Sequence, residues 1–202
     1  MTVLNVLHES TKELIIPDLD EEMIVDEYFT SFPRYVFRYS TTESYTCLTC
    51  KATSNSENLE DEFSLSSSSK DNVDNMINQY LKSKVDKNCS TCKCNRYHNV
   101  SKSLSSPPRV LRMIINRFTD DGSKKHDQIN INTSLNICHI NYSLLGIIHH
   151  AGSTVKSGHY FCTVKYITML NINDALVTSQ QISDLKSSQT AYILFYKSNS
   201  TT

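Results

Sequence analysis

Two short cysteine clusters are the clearest chemical feature of this 202-residue chain, and they hold five of its seven cysteines. Cys47 and Cys50 are separated by two residues, and Cys89 and Cys92 repeat that spacing. Because a tight turn of this kind aims both sulfurs at one ion, two such turns can complete a tetrahedral thiolate site for zinc. Four thiolates leave no open position for water, so the predicted zinc is structural rather than catalytic. Cys94 is an alternative to Cys92 as the fourth ligand.

Ordinary buried cysteines and a redox pair are the alternatives to a metal. One Cys-x-x-Cys pair could arise in either way, but two pairs in a chain without secretory features favour zinc over a disulfide framework. Nothing around either pair resembles a thioredoxin-like unit, which makes a redox role the weaker one. The segment between the pairs is long for a compact zinc ribbon, so we expect an insertion with a helix to loop out there.

A histidine near the C-terminal end has the setting of a general base. His159 follows Gly158 at the start of a predicted strand, where the glycine permits a close backbone approach. A hairpin would return Asn173 beside His159, and the Asn173 side-chain oxygen could then accept the ring Nδ1–H. A structural histidine and a polar turn explain the same residues without chemistry. His149 and His150 are adjacent on a predicted strand, so at most one of them can line the same cleft.

The elements that must position these residues are mainly strands. Apolar alternation and turn residues predict strands at Tyr45–Leu48, near Phe63, and at Val110–Phe118, Ile129–Ile131, Ile137–Ile140, Tyr142–His149, His159–Tyr166, Met169–Asn173 and Ala191–Tyr196. Other predictions are an extended segment at Arg34–Tyr39, an exposed loop through most of 51–72, a hairpin turn at Asp120–Gly122 and a short helix at Ile182–Leu185. A longer helix, capped by Asp71, is predicted to turn a stripe toward the core: Val73, Met76, Ile77, Tyr80 and Leu81. With no βαβ rhythm, the chain is predicted to be α+β, with an antiparallel C-terminal half.

Charge and composition exclude several classes of function. The net charge is −1, which gives no electrostatic case for binding nucleic acid or an anionic membrane surface. No apolar run approaches the length of a membrane span, and the N-terminus lacks the order of a signal peptide. We therefore expect an intracellular protein, in the cytoplasm or the nucleus, that binds neither nucleic acid nor membrane.

The order of these motifs resembles that of the ubiquitin-specific proteases, the papain-like deubiquitinases. After the two cysteine pairs come Pro107–Phe118, Tyr142-x-Leu144, His150–Gly152, Gly158–Tyr160, Asn173–Asp174 and Ala191–Tyr196. The resemblance implies that His159 is the general base and Asn173 the third member of a catalytic triad, with Asp174 beside it as a substitute. It also implies zinc-tipped fingers that grip ubiquitin, or a related modifier, and a palm sheet below them.

The same resemblance implies a division of the chain. Residues 1–197 would form part of a catalytic domain, with an acidic lead-in or remnant of the helical thumb at 1–33. The zinc-binding fingers with their inserted helix would occupy 34–105, the palm 106–197, and a tail 198–202. The implied fold is α+β and mainly antiparallel β, with the thumb missing.

Two departures from the family pattern bear on activity. Met169 stands where the family usually has an aromatic residue, which is a modest change in packing. The family's cysteine box, an Asn/Gly-rich turn leading to a cysteine and a long helix, is expected well upstream of Cys47, and the 46 residues there contain no cysteine. Cys138 and Cys162 are predicted to be strand residues, and neither begins a helix whose dipole would lower a thiol pKa.

The sequence therefore leaves two main interpretations open. One is the base-bearing part of a deubiquitinating thiol isopeptidase that lacks its own nucleophile and is inactive alone. The other is a catalytically inactive module that binds ubiquitin or a partner. A plain zinc scaffold would explain the cysteines but not the pattern around His159 and Asn173.

Overall fold

The computed structural model describes residues 32–67, 72–154, 156–181, 185 and 187–199. The predicted acidic lead-in and most of the predicted helix at Ile182–Leu185 lie outside these residues. In chain order the described elements are α1 (Phe32–Phe37), β1 (Tyr39–Cys47), β2 (Thr53–Glu60), β3 (Phe63–Ser66), α2 (Val73–Leu81), β4 (Lys82–Asn88), β5 (Asn95–Ser106), β6 (Val110–Asn116), β7 (Ile129–Asn130), β8 (Ser134–Ile137), β9 (Ile140–Thr154), β10 (Ser157–Lys165), β11 (Met169–Asn173), β12 (Leu176–Gln180), β13 (Ser187–Ser188) and β14 (Ala191–Ser198). The predicted α+β class, dominated by antiparallel strands, is confirmed.

Both cysteine pairs are carried by one four-stranded antiparallel sheet of order β2-β1-β5-β4, which we call the cysteine sheet. The first pair lies in the turn between β1 and β2, and the second lies in the turn between β4 and β5. Because β1 and β5 are adjacent and antiparallel, with Cys47 opposite His98, the two turns meet at the same end of the sheet. Strand pairing over a long sequence separation thus brings the two pairs together.

Three strands of the cysteine sheet, β2, β4 and β5, were not predicted, and β2 and β4 were missed for the same reason. The exposed loop expected through 51–72 contains β2, which pairs with β1 from Tyr39 opposite Glu60 to Thr46 opposite Thr53. β4 pairs with β5 over its whole length. Most side chains of both strands are exposed, so neither has the alternating apolar pattern that marks a half-buried strand. Their extended conformation is decided by a neighbouring strand rather than by a buried face.

The second sheet, which we call the histidine sheet, has eight strands. Seven of them follow the order β12-β11-β10-β9-β14-β6-β3, and β8 pairs with β9 beside that path. All its pairings are antiparallel except that of β3 with β6, where Phe63 lies opposite Met113. Leu111, Met113 and Ile115 alternate into the core along β6, as the apolar run predicted. A small sheet of β7 and β13 lies apart from it.

The helix α2 packs on the core beneath the histidine sheet. Its Val73, Met76 and Ile77 are buried in the same cluster as the β6 side chains, which confirms the core-facing stripe. The cap is Asn72, whose side chain accepts a hydrogen bond from the Asn75 N–H at 2.8 Å, and not the predicted Asp71. A helix boundary often shifts by one residue where neighbouring polar residues can both cap. No helix in the described part of the chain is long and apolar enough to span a bilayer.

Two local predictions are wrong. The segment predicted as extended at Arg34–Tyr39 largely belongs to α1, where Pro33 sits in the first turn and its missing N–H costs no hydrogen bond. The predicted strand Ile137–Ile140 is a hairpin turn. Cys138 and His139 have φ values of 50° and 69°, and they connect β8 to β9 with Ile137 opposite Ile140. Two consecutive positive φ values match the twist of a two-residue hairpin.

A buried arginine ties together three segments around the histidine sheet. Arg117 is fully buried, and its guanidinium donates to the carbonyl oxygens of Ala191, Asp127 and Ser188 at 2.6, 2.8 and 3.0 Å. Burial lowers the pKa of Arg117 to about 10, partly offset by the nearby Asp127. The side chain therefore stays charged at neutral pH and fixes where β14 begins.

Candidate functional site

The four predicted zinc ligands converge at the shared end of the cysteine sheet. The Sγ atoms of Cys47, Cys50, Cys89 and Cys92 all lie within 4.8 Å of one another. Two of the separations are 3.9 Å, from Cys47 to Cys92, and 3.6 Å, from Cys50 to Cys89. A tetrahedron with Zn–S bonds of about 2.3 Å places its sulfurs roughly 3.8 Å apart. The sulfur positions therefore fit one zinc ion, and the thiolate set is the one that zinc prefers.

Each cysteine turn is closed by a lysine in the left-handed conformation. Lys51 has a φ of 63° and its N–H donates to the Cys47 carbonyl at 3.0 Å. Lys93 has a φ of 58° and its N–H donates to the Cys89 carbonyl at 2.9 Å. The two turns are thus built alike, although lysine is an unusual residue at positive φ. Closure of the metal site by both turns supplies a reason for the strained backbone.

The backbone of each turn also favours the ligand form of the thiol. The N–H of Cys50 points at the sulfur of Cys47 and lowers the pKa of that thiol. In the second turn the N–H of Cys92 does the same for Cys89 and lowers its pKa to about 5. A thiolate is the species that binds zinc, so this hydrogen bonding prepares the site for metal.

Cys94 does not belong to this group. Its side chain is exposed, and its carbonyl oxygen accepts the N–H of Cys89 at 3.0 Å. Cys94 thus contributes to the turn through its backbone, while Cys92 supplies the fourth sulfur. The sequence could not separate the two residues because both lie within reach of the same turn.

The predicted histidine and asparagine meet at the end of the histidine sheet. β10 and β11 pair with Cys162 opposite Ile172, so the next step along the register sets Asn173 level with Phe161, two positions from His159 on the same face of β10. The Nε2 atom of His159 lies 2.5 Å from Oδ1 of Asn173. The sequence led us to expect Nδ1 in this contact, and that detail is wrong because the ring approaches β11 with its other edge. An amide oxygen can only accept, so Nε2 carries the proton and Nδ1 keeps a free lone pair.

Asp174 stands farther from the ring than Asn173. Its Oδ2 atom lies 4.0 Å from Nε2 of His159, and 82% of its side chain is exposed. Asp174 has a φ of 52° and occupies the turn between β11 and β12, where Asn173 lies opposite Leu176. The turn directs its carboxylate toward solvent, so Asn173 is the residue placed to hold the histidine.

The glycine before His159 is required by a neighbouring ring. A Cβ atom built on Gly158 would lie 2.0 Å from Nε2 of His150 and 2.8 Å from the carbonyl oxygen of Ala151. The pairing of β9 with β10 also shifts register between Ser157 and His159. Such a bulge re-aims the side chain that follows it, and here it precedes the exposed His159.

His149 has a structural setting. Its Nδ1 and Nε2 atoms lie 3.0 and 3.1 Å from the hydroxyl oxygens of Thr190 and Thr163. Burial, with a smaller contribution from the positive charge of Arg117, lowers the pKa of His149 to about 4. These partners were not predicted, because Thr163 lies on the neighbouring strand β10, Thr190 lies in the bend before β14, and neither belongs to a motif of its own.

The two cysteines outside the cysteine sheet lack the setting of an activated nucleophile. Cys138 lies in the hairpin turn between β8 and β9, and Cys162 lies within β10, each half-buried. Neither begins a described helix. Cys162 pairs with Ile172, the residue before Asn173. Because successive side chains on a strand point to opposite faces, Cys162 lies on the face of the sheet opposite to His159 and Asn173.

Comparison with known proteins places these features in a family. The family model for "Ubiquitin carboxyl-terminal hydrolase" matches residues 1–196. The "Probable ubiquitin carboxyl-terminal hydrolase 16" of Schizosaccharomyces pombe is 30% identical over 191 residues, which are 85% of this chain and 41% of that protein. "Ubiquitin carboxyl-terminal hydrolase 42" of Homo sapiens is 28% identical over 167 residues, covering 74% of this chain and 12% of that protein.

Solved structures show the same fold. A SAGA DUB module of Ubp8, Sgf11, Sus1 and Sgf73 bound to monoubiquitin matches with a TM-score of 0.73 and 26% identity, over 85% of this chain and 43% of the other. A further Ubp8-containing SAGA DUB module matches with a TM-score of 0.78 over 99% of this chain and 49% of the other, at 24% identity. The chain thus spans less than half the length of these relatives. The family match over nearly all of this sequence shows that the chain belongs to the ubiquitin carboxyl-terminal hydrolase family.

Proposed function

We propose that this chain belongs to a thiol-dependent isopeptidase that removes ubiquitin from conjugates. It would supply the general base and the zinc-bound cysteine sheet that contacts ubiquitin. The observation that carries the proposal is the 2.5 Å contact between Nε2 of His159 and Oδ1 of Asn173. It supports a base whose tautomer is fixed by a neighbour, as cysteine-type acyl transfer requires. On this proposal the protein acts inside the cell, where ubiquitin is conjugated to other proteins.

The proposed chemistry of His159 follows from its free nitrogen. With Nε2–H donated to Asn173, Nδ1 can take the proton of a cysteine thiol as the thiolate attacks the isopeptide carbonyl. The resulting imidazolium then gives that proton to the departing lysine amine. Asn173 holds the ring through both steps, and the half-exposed ring leaves access for a substrate.

The nucleophile is proposed to come from a segment outside this sequence. Five of the seven cysteines lie at the zinc end of the cysteine sheet, and Cys138 and Cys162 lie in a turn and on a strand. Oxyanion donors would have to come from the same missing partner of the cleft. By this proposal the chain alone does not complete the catalytic constellation.

The zinc site is proposed to hold the cysteine sheet in shape for contact with ubiquitin. Support comes from the matching SAGA DUB module, which is bound to monoubiquitin. The second candidate function is an inactive ubiquitin-binding module, favoured by the setting of Cys138 and Cys162. The two candidates share the grip and differ only in whether His159 meets a nucleophile.

An electrophilic ubiquitin probe tests the proposal. We expect the 202-residue chain to bind ubiquitin without forming a covalent adduct, and the same chain extended upstream along its reading frame to form one. His159→Ala in the extended form should abolish the adduct, and peptide mapping should place it on a cysteine outside this sequence. An adduct of the short chain at Cys138 or Cys162 would contradict the missing nucleophile. Ubiquitin binding with no adduct in either form would favour the inactive module.

A further inference from the structure

His159 stands at the end of a row of three stacked rings on one side of the histidine sheet. His159 and Phe161 are two positions apart on β10 and therefore lie on the same face of the sheet. His149 lies opposite Phe161 on β9. The rings of His149 and Phe161 are parallel within 4°, with centroids 4.5 Å apart. The rings of Phe161 and His159 continue the row, with centroids 6.4 Å apart and planes 19° apart. Both separations lie within the range of attractive ring stacking.

The inner end of this row is locked. His149 is only 5% exposed, and each of its ring nitrogens lies within hydrogen-bonding distance of a threonine hydroxyl, on Thr163 and Thr190. The ring therefore cannot rotate without losing a buried hydrogen bond. Phe161 is packed against a surface that does not move.

The outer end of the row has little else to hold it. The His159 side chain is 48% exposed, and the polar contacts of its ring are with Asn173 and, at 4.0 Å, Asp174. One hydrogen bond at Nε2 leaves the ring free to tilt about that contact. A flat ring alongside it restricts that tilt, and Phe161 is the aromatic residue stacked there.

We propose that Phe161 is a positioning residue, which transmits the fixed orientation of the His149 ring to His159. The ring of Phe161 keeps His159 in the plane where Nε2–H meets Asn173 and Nδ1 stays free of a proton. The catalytic value of holding His159 in this orientation rests on the proposed function of His159 as a general base. The ring geometry itself does not depend on that function.

The tautomer of His159 is the quantity to measure. In the zinc-loaded 202-residue chain, long-range ¹H–¹⁵N correlation of the labelled imidazoles distinguishes Nε2–H from Nδ1–H. We expect Phe161→Leu to reduce the ratio of the Nε2–H to the Nδ1–H form of His159 by about threefold to tenfold, since a ring–ring contact changes an equilibrium by roughly that factor. Phe161→Tyr keeps a stacking ring and should hold the ratio within twofold of the original protein.

Phe195→Leu is the matched control. Phe195 is also half-buried on a strand of the histidine sheet, and its ring partner is Phe37 at 6.0 Å. This variant removes a tilted aromatic contact elsewhere on the same sheet without touching the row, so the His159 ratio should not change. An equal shift in Phe195→Leu and Phe161→Leu would show a general loosening of the sheet and would overturn the positioning role.

A second variant protects the test against misfolding of Phe161→Leu. Thr190→Val removes one of the two hydroxyl partners of His149 and leaves its ring held only by Thr163, so it should shift the His159 ratio in the same direction. An unchanged ratio in a folded Phe161→Leu protein, or in Thr190→Val if the former does not fold, overturns the proposal.

Loss of the probe adduct in His159→Ala with an unchanged tautomer ratio in Phe161→Leu would reject only the positioning role. Retention of the adduct in His159→Ala would instead reject the proposed base.

Discussion

His149 and His150 are adjacent on β9, and because successive side chains on a strand point to opposite faces, their surroundings differ. His149 faces Phe161 and two threonine hydroxyls, and both of its nitrogens have partners. His150 faces Tyr160 and Phe118, and within the described residues its buried Nδ1 has no protein partner. The first fixes a row of rings, and the second occupies the space that a side chain at position 158 would need.

Burial of neutral His149 makes stability depend on pH. Its pKa is about 4 in the folded protein against 6.5 for a free side chain. Above about pH 6.5 the residue is neutral in both states and contributes no pH dependence. Between about pH 6.5 and 4 the unfolded chain takes up a proton that the folded chain does not, so the free energy of unfolding falls by up to about 3 kcal/mol.

Urea unfolding between about pH 7.5 and 4.5 measures this contribution. His149→Gln should flatten the acid side of the stability profile, at some cost in stability at neutral pH. His126 is exposed, so His126→Gln is the control and should leave the profile unchanged. An equally steep profile in His149→Gln and the original protein would contradict the role of His149.

The two sheets meet through a cluster of aromatic side chains, whose Tyr39 and Tyr80 hydroxyls also donate to Glu62 and Glu60. Tyr39 on β1 packs edge-on against Phe63 on β3, with ring centroids 5.2 Å apart, and Phe63 stacks on Tyr80 of α2 at 4.5 Å. Tyr39 lies at the end of the cysteine sheet that is remote from its metal-binding turns. The core under the histidine sheet contains none of the four zinc ligands. Metal loss should therefore act mainly on the cysteine sheet.

Cys47→Ser should abolish stoichiometric zinc binding and unfold the outer end of the cysteine sheet. Structural zinc sites contribute on the order of 10 kcal/mol, which a sheet with so few buried apolar side chains cannot replace. Metal analysis and amide hydrogen exchange would show loss of zinc and loss of protection in β1, β2, β4 and β5. Cys94→Ser removes an exposed thiol next to the site and is the matched control. Equal zinc loss in Cys94→Ser would contradict the ligand set.

At the scale of the whole molecule, Arg117 links segments that are far apart in sequence. It joins the end of β6 to the loop at Asp127, to Ser188 and to the start of β14. Each of these acceptors is a backbone carbonyl that would lose its partner with the side chain. One of these acceptors, Ala191, lies opposite His149 where β14 pairs with β9.

Arg117→Met should destabilise the protein by about 3 kcal/mol or more, because several buried carbonyls would lose their hydrogen-bond partner at once. Equilibrium unfolding followed by circular dichroism measures the change. Arg109→Met is the control, since Arg109 is exposed and lies over the ring of Tyr35 at 4.3 Å; a surface contact of this kind contributes under about 1 kcal/mol. Similar losses in the two variants would show that Arg117 acts only as one more positive charge.

Features that depend on short spacing and local pattern could be predicted from the amino-acid sequence. Two Cys-x-x-Cys turns indicate a thiolate zinc site wherever the turns lie, and apolar alternation marks the strands with a buried face, such as β6. The hairpin from β10 to β11 is likewise local, which is why Asn173 could be expected beside His159. Order and spacing of these motifs also indicated the family.

Features that depend on neighbours distant in sequence could not be predicted and became visible in the folded chain. β2 and β4 are extended because β1 and β5 pair with them, and their exposed side chains leave no pattern to detect. Cys92 rather than Cys94 faces the other sulfurs because two separate turns must meet. The contact of Asn173 with Nε2 and the row from His149 through Phe161 depend on ring orientation, which is set by packing across three strands and is absent from any local pattern.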